Sequence, residues 1–211
     1  MKLFKNKSKK NWSDITLGQI QEIDSLPKYD DEIDLIINYL SVIWNKDASY
    51  IENLPVTTII NGFEEWAFIN DKPTSASTPI IKLKGKKYGA IELSTMTLAQ
   101  MVDIEEYISE GLMLNLHKIF SVIYLPIKSF NPITKKYTTV EYQPSVERQD
   151  VFLGGTMDIL YPQMLFFWSI VKIYLEDLQS SSKMKMRTIH TEMVKEMITK
   201  ESPTQTEQLK Q

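Results

Sequence analysis

The residues able to do chemistry are few in this chain, and they stand apart from one another. Its 211 residues include two histidines and no cysteine, which excludes disulfides, thiolate nucleophiles and cysteine metal sites. His117 lies in an apolar stretch between Leu116 and Ile119, where an imidazole reads as a packed or surface side chain rather than as a base or a ligand. His190 stands beside Ile189 with no partner motif. A metal ion needs convergent carboxylates, yet Asp30, Asp31, Glu32 and Asp34 crowd into one helical turn, and Glu105 and Glu106 are neighbours on a solvated face. Gly154-Gly155-Thr156 lacks the Gly-Lys-Ser/Thr ending of a phosphate loop. No serine is flanked by glycines as in a nucleophile elbow. The expectation is a protein that is not an enzyme, with no catalytic, cofactor-binding or metal-binding residues.

Lysine clusters are the remaining candidates. Five lysines fall between Lys2 and Lys10, and four more stand at 82, 84, 86 and 87. Either set has the charge to grip phosphates, but the chain as a whole carries a net charge of -3, and only Phe4 and Tyr88 interleave with those lysines. Nucleic-acid surfaces combine basic patches with stacking aromatics, so no nucleic-acid partner is expected. The first cluster reads as a solvated arm over residues 1–11, and the second as the soluble face of a two-stranded ribbon. Asn11-Trp12-Ser13-Asp14 stands where a signal peptide would have its apolar core. The most apolar run, Met164 to Val171 and on through Leu175, meets Lys172, Glu176 and Asp177 before reaching the roughly 20 apolar residues that cross a bilayer. It reads as a buried core helix or, given the adjacent Phe166, Phe167 and Trp168, as a helix docking on a partner. No membrane partner is expected.

The elements that would position these residues are mainly short helices. Thr16-Leu17-Gly18-Gln19-Ile20 is repeated as Thr97-Leu98-Ala99-Gln100-Met101. Each reads as a capping box, with Ile15 or Met96 as the first half of a hydrophobic staple. The first helix runs from Thr16 to about Leu26, where Pro27 stops it. The second carries Ile33, Ile36, Ile37, Leu40 and Ile43 at helical spacing behind an acidic first turn. Pro55 opens a third over Val56, Ile59, Ile60, Phe63 and Ala67. A hairpin near 80–93 turns at Gly85, with Ile81 and Leu83 alternating against Lys82 and Lys84. The second capped helix runs from Thr97 to about Glu110. Another, carrying Leu116, Ile119, Phe120 and Ile123, stops at Pro126. Residues 128–144 read as a long loop or a short second hairpin, and an aromatic helix runs from about Pro162 to Leu178. A serine linker over 180–182 leads to an amphipathic helix striped by Met186, Ile189, Met193 and Met197, an adaptable contact surface. The fold expected is therefore mainly α: a helical domain over 12–179 with one inserted β-hairpin, followed over 180–211 by a linker and a protruding C-terminal helix that acts in assembly.

The order of Trp12-Ser13-Asp14-Ile15-Thr16-Leu17-Gly18-Gln19, acid-capped helices, a lysine-rich hairpin and Thr97-Leu98-Ala99-Gln100-Met101-Val102-Asp103-Ile104-Glu105 resembles tail-morphogenesis proteins of tailed bacteriophages, including the crAss-like phages. Leu116 to Pro126, the acidic-basic connector Val146 to Phe152 and the aromatic Leu165-Phe166-Phe167 extend the resemblance over roughly Trp12 to Leu178. It implies a non-enzymatic virion protein of the tail or neck, multi-copy or homo-oligomeric, whose partners are other tail and neck proteins. The alternatives are a tail assembly chaperone that does not stay in the virion, and a cellular adaptor. A ring or hub subunit needs several separate contact surfaces, whereas an adaptor needs one defined groove.

Overall fold

A computed structural model describes residues 10–71 and 76–167. The chain divides into two compact units, Met1–Met164 and Leu165–Gln211. Of the second unit the described residues are 165–167, with Leu165 and Phe166 exposed. The basic arm up to residue 9, His190, the serine linker and the Met-striped segment lie outside the described residues.

The first unit opens with a 3-10 turn, Trp12–Asp14, and α1 (Leu17–Asp24). Next come α2 (Glu32–Trp44), α3 (Ala48–Glu52) and α4 (Val56–Glu65), then a 3-10 turn at Ala67–Asn70. Strands β1 (Ile80–Leu83) and β2 (Lys86–Ala90) form the hairpin, and α5 (Leu98–Ser109) and α6 (Leu116–Ile123) follow. The chain then passes into β3 (Tyr124–Phe130), β4 (Tyr137–Thr139) and α7 (Val146–Leu153). A further helix begins at residue 157.

Both capping boxes are present. The Thr16 amide donates to Gln19 Oε1 at 3.0 Å while the Gln19 amide donates to Thr16 Oγ1 at 3.3 Å, and Thr97 and Gln100 repeat both distances. Each glutamine also spends its amide group on the helix that follows. Gln19 Nε2 donates to the Ile43 carbonyl at 3.0 Å, and Gln100 Nε2 to that of Val122 at 3.3 Å, 24 and 22 residues on. These contacts satisfy last-turn carbonyls that a helix leaves without partners. The last turns of the two receiving helices carry the same words, Ser41-Val42-Ile43 and Ser121-Val122-Ile123, each serine bonding the carbonyl three residues back at 2.7 Å. The internal repeat is thus a whole two-helix unit.

The expectation of a mainly α domain with one inserted hairpin is corrected: the fold is mixed α/β, with a four-stranded antiparallel sheet in the order β1-β2-β3-β4. The lysine hairpin itself is as its sequence reads. Leu83 pairs with Lys86 across a two-residue turn in which Lys84 and Gly85 both have positive φ, the type I′ geometry that a glycine in second position favours. Ile81 and Leu83 are buried and Lys82 is exposed. What the sequence conceals is β3. Pro126 marks the end of a helix by expectation, yet α6 ends at Ile123 and Pro126 sits inside a strand, paired with Tyr88. A proline is tolerated there because its carbonyl accepts from Val140 N at 3.0 Å. In an extended strand the N and O of one residue share an edge, so the missing N–H falls on the β4 side, at the margin of that pairing, and takes no bond from β2. The residues over 128–144 form a second hairpin that extends the first. Tyr137 of β4 lies over Gly89 of β2, where a Cβ would collide with its ring, and its hydroxyl donates to the Ala90 carbonyl at 2.7 Å.

Three smaller corrections concern helices. The third expected helix ends as α4 at Glu65 and continues only as a 3-10 turn, with α3 preceding it. The segment Val146 to Phe152, a connector by resemblance, lies in a helix, Val146–Leu153, capped by Ser145, whose Oγ accepts from Arg148 N at 3.2 Å. The aromatic helix starts at residue 157, five residues before Pro162.

The core lies where α6 and α7 pack together and meet the sheet. Tyr88, Phe120, Tyr124 and Phe152 form an aromatic cluster with ring centroids 5.4 to 6.3 Å apart, the separations at which edge-to-face and offset pairs attract. Tyr124 reaches out of the cluster to donate to Gln163 Oε1 at 2.8 Å, and that oxygen also accepts from Thr78 N at 3.2 Å.

Candidate functional site

An open groove of about 1010 Å³ runs between the β3–β4 hairpin and the chain entering α7. Lys128 and Ser129 of β3 and Thr138 and Thr139 of β4 line one side. Ser145 and Arg148 line the other. Alternation along the strands sends Tyr137 onto the sheet while leaving the hydroxyls of Ser129 and Thr138 bonded to each other at 2.6 Å.

Arg148 is the unusual member. It is one turn before Val151 and Phe152 on the buried side of α7, and only 9% of it is exposed. Its Nε donates to the Ser121 carbonyl and its Nη2 to that of Gln143, both at 2.6 Å, and the guanidinium lies 5.7 Å from the Tyr142 ring centroid. Among the described residues no carboxylate comes within ion-pair distance of it. Burial lowers its pKa from the ordinary arginine value, with Tyr142 the largest opposing influence, but a guanidinium remains charged in a protein at any physiological pH. Tyr142 donates its hydroxyl to the Asp103 carboxylate. Burial first, and then that carboxylate, push the phenol pKa up.

The arrangement places a buried positive charge at the wall of an open groove. His117, the described histidine, is half-buried on α6, its Nδ1 without a hydrogen-bond partner and its pKa lowered by burial. Asp31 caps α2 by accepting from Ile33 N at 2.8 Å, and Glu32 and Asp34 lie in the first turn. Glu105 and Glu106 are exposed on α5. No three His, Asp or Glu side chains among the described residues gather in metal-ligand geometry, and no described helix is long and apolar enough to cross a membrane.

No protein-family model matches this chain, and no curated protein or solved structure is significantly similar to it. The site therefore rests on its own geometry. Residue reasoning missed Arg148, although a signal was available: Arg148, Val151 and Phe152 are spaced three and four apart, which puts the arginine on the face that the two apolar residues bury. The hairpin also forms the wall of a second open cavity of about 770 Å³, which shares Ser129 and Thr138 with the groove and is lined by Phe130, Asn131 and Lys136 among others. The Asn131 side chain accepts from the amides of Ile133 and Thr134 at 2.9 and 3.2 Å, and holds up a tip at which Ile133 is 90% exposed.

Proposed function

We propose that this chain is a non-enzymatic structural protein of a bacteriophage tail or neck, a multi-copy ring or hub subunit that works through contacts with other tail and neck proteins. One observation carries the reading: large apolar side chains are exposed on several separate elements rather than in one patch. Val56 and Ile60 project from α4, Leu98 and Val102 from α5, Ile133 from the β3–β4 tip and Val146 from α7. Scattered single apolar residues are ordinary on a surface, but Val56, Ile60 and Phe63 recur at helical spacing on α4 and make an exposed stripe, of which Phe63 alone leans on a neighbouring ring, that of Tyr39. A subunit held by neighbours on several sides needs such separate contacts. The phage context, the virion location and assembly in the bacterial cytoplasm are part of the proposal, and rest on the resemblance read from the Trp12–Gln19 and Thr97–Glu105 segments.

The test is mass spectrometry of purified virions from the phage or host that encodes the chain. Peptides of this chain at a stoichiometry matching a ring or hub support the reading. Their absence from virions, with presence in tail-protein complexes from infected cells, makes the chain an assembly chaperone instead. The groove beside Arg148 favours a second reading, a binding module with one defined ligand site. Co-purification with a single non-virion protein would select it.

A further inference from the structure

We infer that the groove between the β3–β4 hairpin and α7 takes one carboxylate side chain from an extended segment of a partner protein, held by Arg148 and Lys128. This rests on the reading above that the chain acts through protein contacts, and it names the chemistry of one such contact. Arg148 is nine-tenths buried, carries a full charge and has no counter-ion among the described residues. Burying a charge is costly unless it is paired. The carbonyls of Ser121 and Gln143 engage Nε and Nη2 and offer only partial negative charge. The neighbouring carboxylate, Asp103, is engaged by the Tyr142 hydroxyl. A purely structural arginine, fastening α6 to the segment before α7, accounts for those two nitrogens. It leaves the charge facing two carbonyls and the Tyr142 ring, with no carboxylate among the described residues, at the wall of an open groove. Lys128, exposed on β3, lines the same groove and has no ion pair among the described residues.

The occupant is an extended chain for two reasons. The groove is many times the size of one carboxylate and is open rather than enclosed. Its lining also includes Thr138 and Thr139 of β4, the terminal strand of the sheet, which pairs on one side only. An unpaired edge is a template on which an extended peptide adds main-chain hydrogen bonds, and the hydroxyls of Ser129, Thr138 and Thr139 offer further donors and acceptors. Glu141 also lines the groove and repels a run of acids. The fitting ligand is therefore a single acidic residue flanked by neutral ones.

The experiment titrates the full chain into a fluorescein-labelled peptide alternating threonine and valine around one central glutamate, and into the same peptide with glutamine at the centre. Fluorescence anisotropy is expected to show the glutamate peptide bound about tenfold more tightly or better. Lys128→Glu, at an exposed position that leaves the fold intact, is expected to remove that difference. In NMR spectra of the unaltered chain the Arg148 Nε–H resonance is expected to shift on adding the glutamate peptide and to stay in place with the glutamine one, a readout that a merely structural arginine would not give. Equal binding of the two peptides, no binding of either, or an advantage that survives Lys128→Glu overturns the proposal. So does inorganic phosphate producing the same saturable Arg148 shift at the same concentration as the peptide, because the ligand is then a small anion. None of these outcomes bears on whether the chain is found in virions, so failure here and failure of the functional reading are separable.

Discussion

The first capped pair of helices and the second begin alike and end differently. In α1–α2 and in α5–α6 a threonine and a glutamine close a capping box, and the glutamine amide fastens the end of the next helix. After Ile43 the chain reaches Trp44, turns at Asn45 in the left-handed region and continues into α3 and α4. After Ile123 it runs without a break into β3. The consequence is a difference in burial. Phe120 of α6 is sealed among Tyr88, Tyr124 and Phe152, whereas Phe63 of α4, against Tyr39, is 39% exposed and Val56 69%. A local motif sets the angle between two helices; what the chain does next decides whether that angle builds a core or presents a surface.

The sharpest way to break this comparison is to truncate the aromatic of each half. Phe120→Ala opens a cavity in a close-packed cluster and is expected to cost about 3–5 kcal/mol. Phe63→Ala removes a side chain already in contact with water and is expected to cost under about 1 kcal/mol. Chemical denaturation followed by circular dichroism measures both. Equal losses would mean that α4 belongs to the core as fully as α6.

The glycines that allow close approach provide the next contrast. An alanine Cβ at Gly89 meets the face of Tyr137, a ring fixed by its bond to the Ala90 carbonyl, and at Gly62 it meets the Trp44 ring. Overpacking of this kind costs about 1–3 kcal/mol. Gly89→Ala is expected to cost more than Gly62→Ala, because Tyr137 is tied down while α4 has open space to shift into. It should also free β4, seen as faster hydrogen exchange at Val140 N than in the unaltered chain.

How legible the fold was follows from how local each signal is. The capping boxes and the Lys84–Gly85 turn are settled within four residues and could be read directly. The strand Tyr124–Phe130 could not, because Pro126 reads as a helix stop, and its actual position depends on which neighbouring strand its nitrogen faces. Ser41-Val42-Ile43 and Ser121-Val122-Ile123 were visible as letters, but their meaning lies in contacts made 22 to 24 residues away. The groove was hidden for the same reason. Arg148 comes to line a groove only when Ser121, Gln143 and the β3–β4 hairpin surround it, and no pattern around Val146–Leu153 announces those neighbours.

The smallest expected effect tests the repeat itself. Thr16→Ala and Thr97→Ala each remove the oxygen that accepts from the third helical amide, and each is expected to cost about 0.5–2 kcal/mol. Were the boxes only caps, the two losses would be equal, since the bond lengths match. They differ in what hangs on the glutamine. Gln100 is 3% exposed and its amide reaches the core helix α6, while Gln19 is partly exposed and reaches α2. Loosening Gln100 leaves a buried carbonyl at Val122 without its donor, a greater penalty than the same loss in contact with water. Thr97→Ala is therefore expected to lie at the upper end of the range and Thr16→Ala at the lower, as read from denaturation midpoints. Equal shifts would show that the cap alone matters, and that each glutamine's reach to the following helix adds nothing to the stability of either half.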